Sequence, residues 1–281
     1  MREPRGAVVV PDSGRDDVKD TLDSVRAYLP AATPVVIDDR PRPAASRALG
    51  QDCVVLPPLP YPRNAHGGLW VRECYAFRWV LANLDVDYVL RLDTDALVIG
   101  PGLGTAVVER FGADPSCGVL GAYRATLSGA LRDFAPAARG VKSESGLRGL
   151  FLRPGCRAAL RPLLRAAEAN GYVAGEHALG AVYALRPEML ARWQQAGWLD
   201  LDALSRSKLG EDWIVGLAAR AAGYTIGEMG GPGGLLALSW RSLPAPPAEL
   251  VQGGALATHS VRGWQDLSEA EIRRYFAQLR T

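Results

Sequence analysis

Apolar residues in the first half of the chain fall into short continuous runs, separated by stretches with helical spacing. Residues 6–10 (GAVVV) predict a buried strand closed by Pro11. Across residues 16–28, Val18, Leu22, Val25 and the adjoining Leu29 share one helical face, and Pro30 stops the helix. Residues 34–37 (PVVI) and 52–56 (DCVVL) predict two more strands. The first ends in Asp38-Asp39, and the second runs into the breaker stretch PPLPYPRNAHGG. Residues 69–84 predict a strong helix, with Trp70, Cys74, Phe77, Leu81 and Leu84 at spacings of four and three. Residues 88–92 (YVLRL) predict a fourth strand. Strands alternating with helices over short connections imply a mostly parallel sheet covered on both faces. Ligands of such sheets bind at the carboxyl ends of the strands.

The second half is less regular. Residues 155–170 and 187–196 predict helices, with a strand at 181–185 (AVYAL) between them. Residues 212–222 predict a further helix, and 230–234 (GGPGG) a loop. The last helix opens on Ser268 and Glu271, spaced as a capping box, and reads as a packing element. No repeat, low-complexity tract or linker interrupts the chain, so one continuous α/β fold is expected.

Composition narrows the function. The chain has 281 residues, 48% hydrophobic and 22% charged, with a formal net charge of +2. That balance makes no demand for a nucleic-acid partner. No apolar run approaches the roughly eighteen residues of a membrane span, and the N-terminal apolar stretch is too short for a secretory signal. The four cysteines, Cys53, Cys74, Cys117 and Cys156, include no CxxC pair. Their scatter argues against a zinc ribbon, a redox motif or a disulfide scaffold, and fits a reducing cytoplasm. Arg supplies nearly all the positive charge, as coding bias in a high-GC bacterium would give.

Three Asp-x-Asp triplets occur: Asp85-Val86-Asp87, Asp93-Thr94-Asp95 and Asp200-Leu201-Asp202. The first and third lie in polar connections and read as solvated turn carboxylates. The middle one follows the buried run YVLRL, where a period of two turns Asp93 and Asp95 to the same side. Two ionised carboxylates so placed repel, unless a cation or strong donors lie between them. A hard divalent ion shared with a diphosphate resolves that repulsion; a turn cap beside a solvated Asp is the alternative. Glu211-Asp212 opens an amphipathic helix, where the helix dipole favours acidic residues in any case. One of the two could instead serve as a general base. His259 follows an apolar stretch and is either a core histidine or a ligand completing a divalent site.

In this order, the segments VVVP, PVVIDD, the Asn/Gly stretch, YVLRLDTD, EDWIVGLAARAAGYTI and a late His resemble the GT-A-fold nucleotide-sugar glycosyltransferases. The inverting patterns are the nearest: family 2, and the ED-helix type of β-1,3-glycosyltransferases and Fringe. The resemblance spans about residues 6 to 260 as separated motifs. It implies a GT-A-like, Rossmann-like fold over residues 1–281, with a nucleotide-sugar-binding half (1–125) and an acceptor-binding half (126–281). It further implies that Pro11 and Asp12 lie beside the nucleoside, and that Asp38 or Asp39 contacts base or ribose. Asn64, Gly67 and Gly68 would approach the diphosphate. Asp93, with Thr94, would face ribose or sugar. Asp95 and His259 would hold Mn2+ or Mg2+, Asp212 would be the catalytic base, and Glu211 would assist in placing sugar or acceptor. The segment GEHALG (175–180) departs from the family's glycine-rich donor loop at Glu176 and His177, and the processive-synthase motif is absent.

The implied reaction moves a sugar from a nucleotide-diphosphate donor, UDP-linked by family frequency, to a small-molecule or glycan hydroxyl, with inversion. A retaining GT-A enzyme shares the DxD and the late His. A sugar-phosphate nucleotidylyltransferase should show a glycine-rich, Arg-containing loop after the first strand, which VVVPDSGRDD lacks. A non-catalytic nucleotide-sugar-binding protein would have little reason to keep all of Asp93, Asp95, Asp212 and His259.

Overall fold

Valine-rich runs too apolar to lie at a surface become the strands of a central sheet. The structure, a computed structural model, describes residues 2–14, 18–38, 49, 52–61 and 66–280. Its strands are β1 (Gly6–Asp12), β2 (Ala32–Asp38), β3 (Val54–Leu56), β4 (Tyr88–Leu92), β5 (Ala96–Val98), β6 (Cys117–Gly121), β7 (Val182–Leu185), β8 (Thr225–Glu228), β9 (Leu236–Leu238), β10 (Ala257–His259), β11 (Gly263–Trp264) and β12 (Leu267–Ser268). Its α-helices are α1 (Val18–Tyr28), α2 (His66–Asn83), α3 (Leu103–Ala113), α4 (Ala135–Ser145), α5 (Leu147–Leu152), α6 (Pro154–Ala169), α7 (Pro187–Gln195), α8 (Glu211–Ala221), α9 (Pro247–Gln252) and α10 (Glu269–Ala277).

The main sheet has seven strands in the order β3-β2-β1-β4-β7-β6-β8. Neighbours run parallel except at β7, which is antiparallel to both β4 and β6. Alternation along the strands feeds two cores. Val9, Val35, Ile37 and Val89 pack on one face with α2 and α8, while Val8, Val10, Val36 and Leu90 pack on the other with α1 and α3. This is a mostly parallel, Rossmann-like α/β arrangement in one continuous domain, as the alternation predicted. Among the described residues, no helix is long and apolar enough to cross a membrane.

Several boundaries differ from the sequence reading. Pro11 does not close β1, which runs on to Asp12. Pairing with β4 ends at Val9, so beyond it only β2 continues alongside. Helix α2 starts at His66 and takes in Gly67 and Gly68. The irregular second half holds elements that the apolar pattern did not announce, including α4, α5, β9 and β10.

What positions the site is a handover between sheets. The chain leaves β4 at Leu92, turns through Asp93-Thr94-Asp95, and enters β5 in a second sheet of order β5-β10-β9. Strand β10 pairs antiparallel with β5 and sets His259 opposite Ala96.

Candidate metal centre and cleft

Asp93 and Asp95 converge through a turn and not through strand alternation, because β4 has already ended at Leu92. The turn is closed by Ala96 N–H donating to Asp93 O at 3.1 Å. Two groups hold the Thr94 carbonyl from beneath, Thr21 Oγ1 at 2.8 Å and Arg273 Nη2 at 2.9 Å from α10, while Val261 N–H ties down Asp95 O at 2.9 Å. The last helix, read as mere packing, thus braces this turn. Its capping box at Ser268 and Glu271 forms as expected.

One ligand atom from each of Asp93, Asp95 and His259 lies within 4.8 Å of the other two. His259 Nε2 is 3.2 Å from Asp95 Oδ2 and 3.8 Å from Asp93 Oδ2. Its other nitrogen, Nδ1, faces Ser239 O at 2.6 Å. A carbonyl only accepts, so Nδ1 carries the proton and Nε2 is the atom turned toward the carboxylates. Nε2 therefore presents its lone pair toward the carboxylates, and an imidazole whose far N–H is held by a backbone carbonyl is the usual metal-ligand arrangement. Two hard carboxylates and one imidazole suit a divalent ion. The cluster can therefore coordinate a divalent metal. Burial works against ionisation of Asp95, but His259, Ser260 Oγ (2.6 Å) and Arg262 Nε (3.2 Å) outweigh it and hold its carboxyl well below the usual carboxylate range.

The same cleft reaches Glu211 and Asp212. It encloses about 580 Å³, with Asp93 and His259 at one end and His177, Gly180, Glu211, Asp212 and Trp213 at the other. Between them lies Arg91, fully buried in β4, whose Nη1 is 2.8 Å from Asp93 Oδ1. Its Nε is 2.8 Å from Glu73 Oε1 and its Nη2 3.7 Å from Glu211 Oε1. Tyr183 OH donates to the other Glu73 oxygen at 3.2 Å. Burial pushes the Glu73 carboxyl up, and Arg91 pulls it back.

Asp212 is oriented by backbone. Gly180 N–H donates to Oδ2 at 3.1 Å and Trp213 N–H to Oδ1 at 2.9 Å. Burial raises the proton affinity of both Glu211 and Asp212, and for Glu211 the neighbouring Asp212 charge adds to it. Gly180 has little room for a side chain, since a Cβ there would lie 3.0 Å from Glu211 Oε1. Ala181, next in the chain, adopts φ 67°, a left-handed conformation costly for a residue with a Cβ. That kink points Gly180 N–H at Asp212 while Ala181 O accepts from Asp93 N–H at 2.8 Å. One bend in the chain therefore fixes both ends of the cleft.

The other expected residues are placed as follows. Pro11, Asp12 and Asp38 lie at the carboxyl ends of β1 and β2, with Asp12 and Asp38 in register and both buried. They share that edge of the sheet with Asp93 but do not line the cleft. Asp39 and Asn64 lie outside the described residues. Gly67 and Gly68 sit in the first turn of α2 and not in a loop. A Cβ at Gly67 would fall 1.9 Å from Leu204 O, so the missing side chain serves helix packing there, while His66 and Leu69 face the cleft.

Glu176 and His177, the intruders in the 175–180 segment, also acquire reasons. Glu176 is buried against Arg220 (2.6 Å) and Tyr123 OH. His177 Nδ1 faces Gly175 O at 2.7 Å, and Nε2 lies 2.8 Å from Arg132 Nη2. Arginine only donates, so His177 is held as a neutral imidazole. Its pKa falls to about 4, through burial first and the Arg132 charge second. Sequence reasoning missed Arg91, Glu73 and Arg132. The first two carried a signal, a lone charge inside an otherwise apolar strand (YVLRL) and an otherwise apolar helix face. No protein-family model matches the chain, and no curated protein matches it.

Proposed function

We propose that the protein is a metal-dependent glycosyltransferase that moves a sugar from a nucleotide-diphosphate donor to an acceptor hydroxyl with inversion. The reading is supported above all by one observation. Asp93 and His259, with Asp95 3.2 Å behind His259, and the Glu211-Asp212 pair, far apart in sequence, meet at one cleft that all but Asp95 line. In this reading Asp95 and His259, joined by Asp93, hold Mn2+ or Mg2+, which when bound offsets the negative charge of the diphosphate. Pro11, Asp12, Asp38, Asp39, Asn64, Gly67, Gly68, Asp93 and Thr94 belong to the nucleotide-sugar side, within residues 1–125. Residues 126–281 supply the acceptor side.

Asp212 takes the acceptor proton as the hydroxyl oxygen attacks the anomeric carbon, and the bond from that carbon to the diphosphate oxygen breaks, the nucleoside diphosphate leaving with the electron pair. Its raised proton affinity suits it to that task better than an exposed carboxylate would be. Glu211, next to it, positions sugar or acceptor, and Arg91 fixes Glu211 relative to Asp93. Trp213 and the exposed Trp240 offer apolar walls of the kind that sugar rings stack on.

The test is thermal stabilisation by UDP and other nucleoside diphosphates with and without Mn2+, followed by a donor-hydrolysis screen and NMR of the first product. Metal-dependent nucleotide stabilisation with an inverted anomeric centre is expected. Nucleotide binding indifferent to metal would overturn the metal assignment, and a retained centre would overturn Asp212 as base.

A further inference from the structure

On the far side of Trp213 and Lys208 from the cleft, the chain builds a surface of a different character. Residues 135–169, spanning α4 to α6, hold seven Arg or Lys (Arg139, Lys142, Arg148, Arg153, Arg157, Arg161, Arg165) against two Glu, in a chain whose net charge is only +2. Charge is thus strongly concentrated on this segment. Within it, α5 reads LRGLFL and exposes Leu147 (73%), Phe151 (79%) and Leu152 (59%), with Leu150 partly exposed. Leu147, Leu150 and Phe151 are spaced i, i+3, i+4 and share one face of the helix. A patch of this kind on a folded surface marks an interaction site.

The patch is rigidly mounted. A Cβ at Gly149 would lie 1.8 Å from Glu144 O, so the glycine lets α5 sit flush on the end of α4. Glu144 is buried and accepts from Ser207 Oγ at 2.6 Å and Lys208 N–H at 2.7 Å, which ties the patch to the segment leading into Glu211. Beside the apolar tip, Arg157, Arg161 and Arg165 recur every four residues along α6. With Ser145 and Leu147 they line a groove of about 360 Å³. Arg157 Nε is buried there with no hydrogen-bond partner.

We infer that this face docks the protein onto an anionic lipid bilayer. The exposed Leu and Phe side chains of α5 would enter the interfacial layer, and the arginine row of α6 would lie along the phosphates. Exposed apolar groups flanked by guanidiniums match the layered chemistry of a bilayer surface, apolar beneath and anionic above. Long arginine stems can lie against the apolar layer while their heads reach phosphate. A protein partner is disfavoured by the excess of one charge sign, which a negatively charged sheet of headgroups satisfies over its whole breadth.

The test is co-sedimentation of the full chain with phosphatidylcholine vesicles, with and without about one third phosphatidylserine, at low and high salt. Binding is expected to the anionic vesicles only, falling at least tenfold as salt rises and screens the arginines. Leu147→Asp/Phe151→Asp and Arg161→Gln/Arg165→Gln should each reduce binding about tenfold or more. All four side chains are exposed or half-buried, so circular dichroism and melting should stay at the parent values. Lys19→Gln/Arg274→Gln, which removes the same charge elsewhere on the surface, should leave binding unchanged. Binding to neither vesicle, equal binding to both, or equal loss in the Lys19/Arg274 control would overturn the proposal. So would light scattering that shows a dimer broken by Leu147→Asp/Phe151→Asp with no lipid binding, since the face would then join two copies. The glycosyltransferase reading does not enter this experiment, so either can fail alone.

Discussion

The cleft has two acidic ends, and their environments push in opposite directions. At one, Asp95 faces His259, Ser260 and Arg262, and its carboxyl is held ionised. At the other, buried Glu211 and half-buried Asp212 sit side by side with few donors, mainly backbone N–H groups on Asp212, and both are pushed toward protonation. Carboxylates grouped around one cleft thus acquire different chemistry from their surroundings alone. A charge-fixed group suits cation binding, and a proton-hungry one suits general-base work. Arg91 bridges the two ends, 2.8 Å from Asp93 on one side and 3.7 Å from Glu211 on the other.

The sharpest way to break this contrast is at the ionised end. Asp95→Asn keeps the shape but removes the charge that Ser260 and Arg262 surround. It should abolish the metal-dependent part of nucleotide stabilisation and lower turnover by about a thousandfold or more, because donor binding and stabilisation of the departing diphosphate would be lost together. Differential scanning fluorimetry with a Mn2+ titration reads this. A variant that keeps parental metal dependence would leave Asp95 a purely structural group.

At the other end, Asp212→Asn should lower kcat by about a hundred- to ten-thousandfold with nucleotide affinity nearly unchanged. Proportional loss of affinity and turnover would instead make Asp212 a helix-end ligand for Gly180 and Trp213. The two substitutions thus separate a binding phenotype from a turnover phenotype within one cavity.

How much of this could be read from the sequence depends on how local each feature is. Strand β4 and the DTD triplet behind it were visible because apolar run and acidic pair are contiguous. The reason for the carboxylates' convergence was not, since a turn braced by Thr21 and Arg273 replaces strand alternation. His259 could be read from the sequence as a core histidine or a ligand, and only the family resemblance chose between them; its approach to Asp95 needs the antiparallel pairing of β10 with β5, which no short window contains. Gly67 is less legible still. The resemblance set it near the diphosphate, and what the fold adds is a packing reason that no short window shows: its missing side chain makes room for Leu204 O. Long-range close contact leaves no periodic mark, so a lone charge in an apolar run, such as Arg91, announces that it has a partner without saying which, and a glycine such as Gly67 announces neither.

A gentler probe uses pH. Because burial raises the proton affinity of Asp212, a base at that position ionises only above the ordinary carboxylate range. The kcat of the parent should therefore rise with pH through mildly acidic values, about tenfold per unit on the limb below its pKa, before levelling. Asp212→Asn should flatten that limb. A parent profile already level in that range would show that the carboxylate performing the reaction is one held ionised, as Asp95 is.

The smallest effect concerns stability. His177 sits against Asp212, with its Nε2 3.6 Å from Oδ2, yet Arg132 and burial keep it neutral in the fold. Its pKa drops from an ordinary 6.5 to about 4. Between those values the unfolded chain takes up a proton that the folded chain refuses, so the stabilisation is complete above pH 6.5 and drains away as pH falls toward 4. The ceiling for that loss is about 3 kcal/mol. Asp95 shifts in the opposite sense, its carboxyl lying below the ordinary value of 3.8, so its contribution is lost only at still lower pH. Glu73, Glu211 and Asp212, whose proton affinities burial raises, instead gain stability as pH falls through this window, so the His177 share is read as the difference between parent and variant. His177→Gln should therefore cost stability at pH 7 yet lose less of it than the parent between pH 6.5 and 4, as read by urea denaturation at each pH. Parallel curves for parent and variant would mean that His177 accepts its proton in the fold. Asp212 would then have a cation beside it, and the contrast between the two ends of the cleft would narrow.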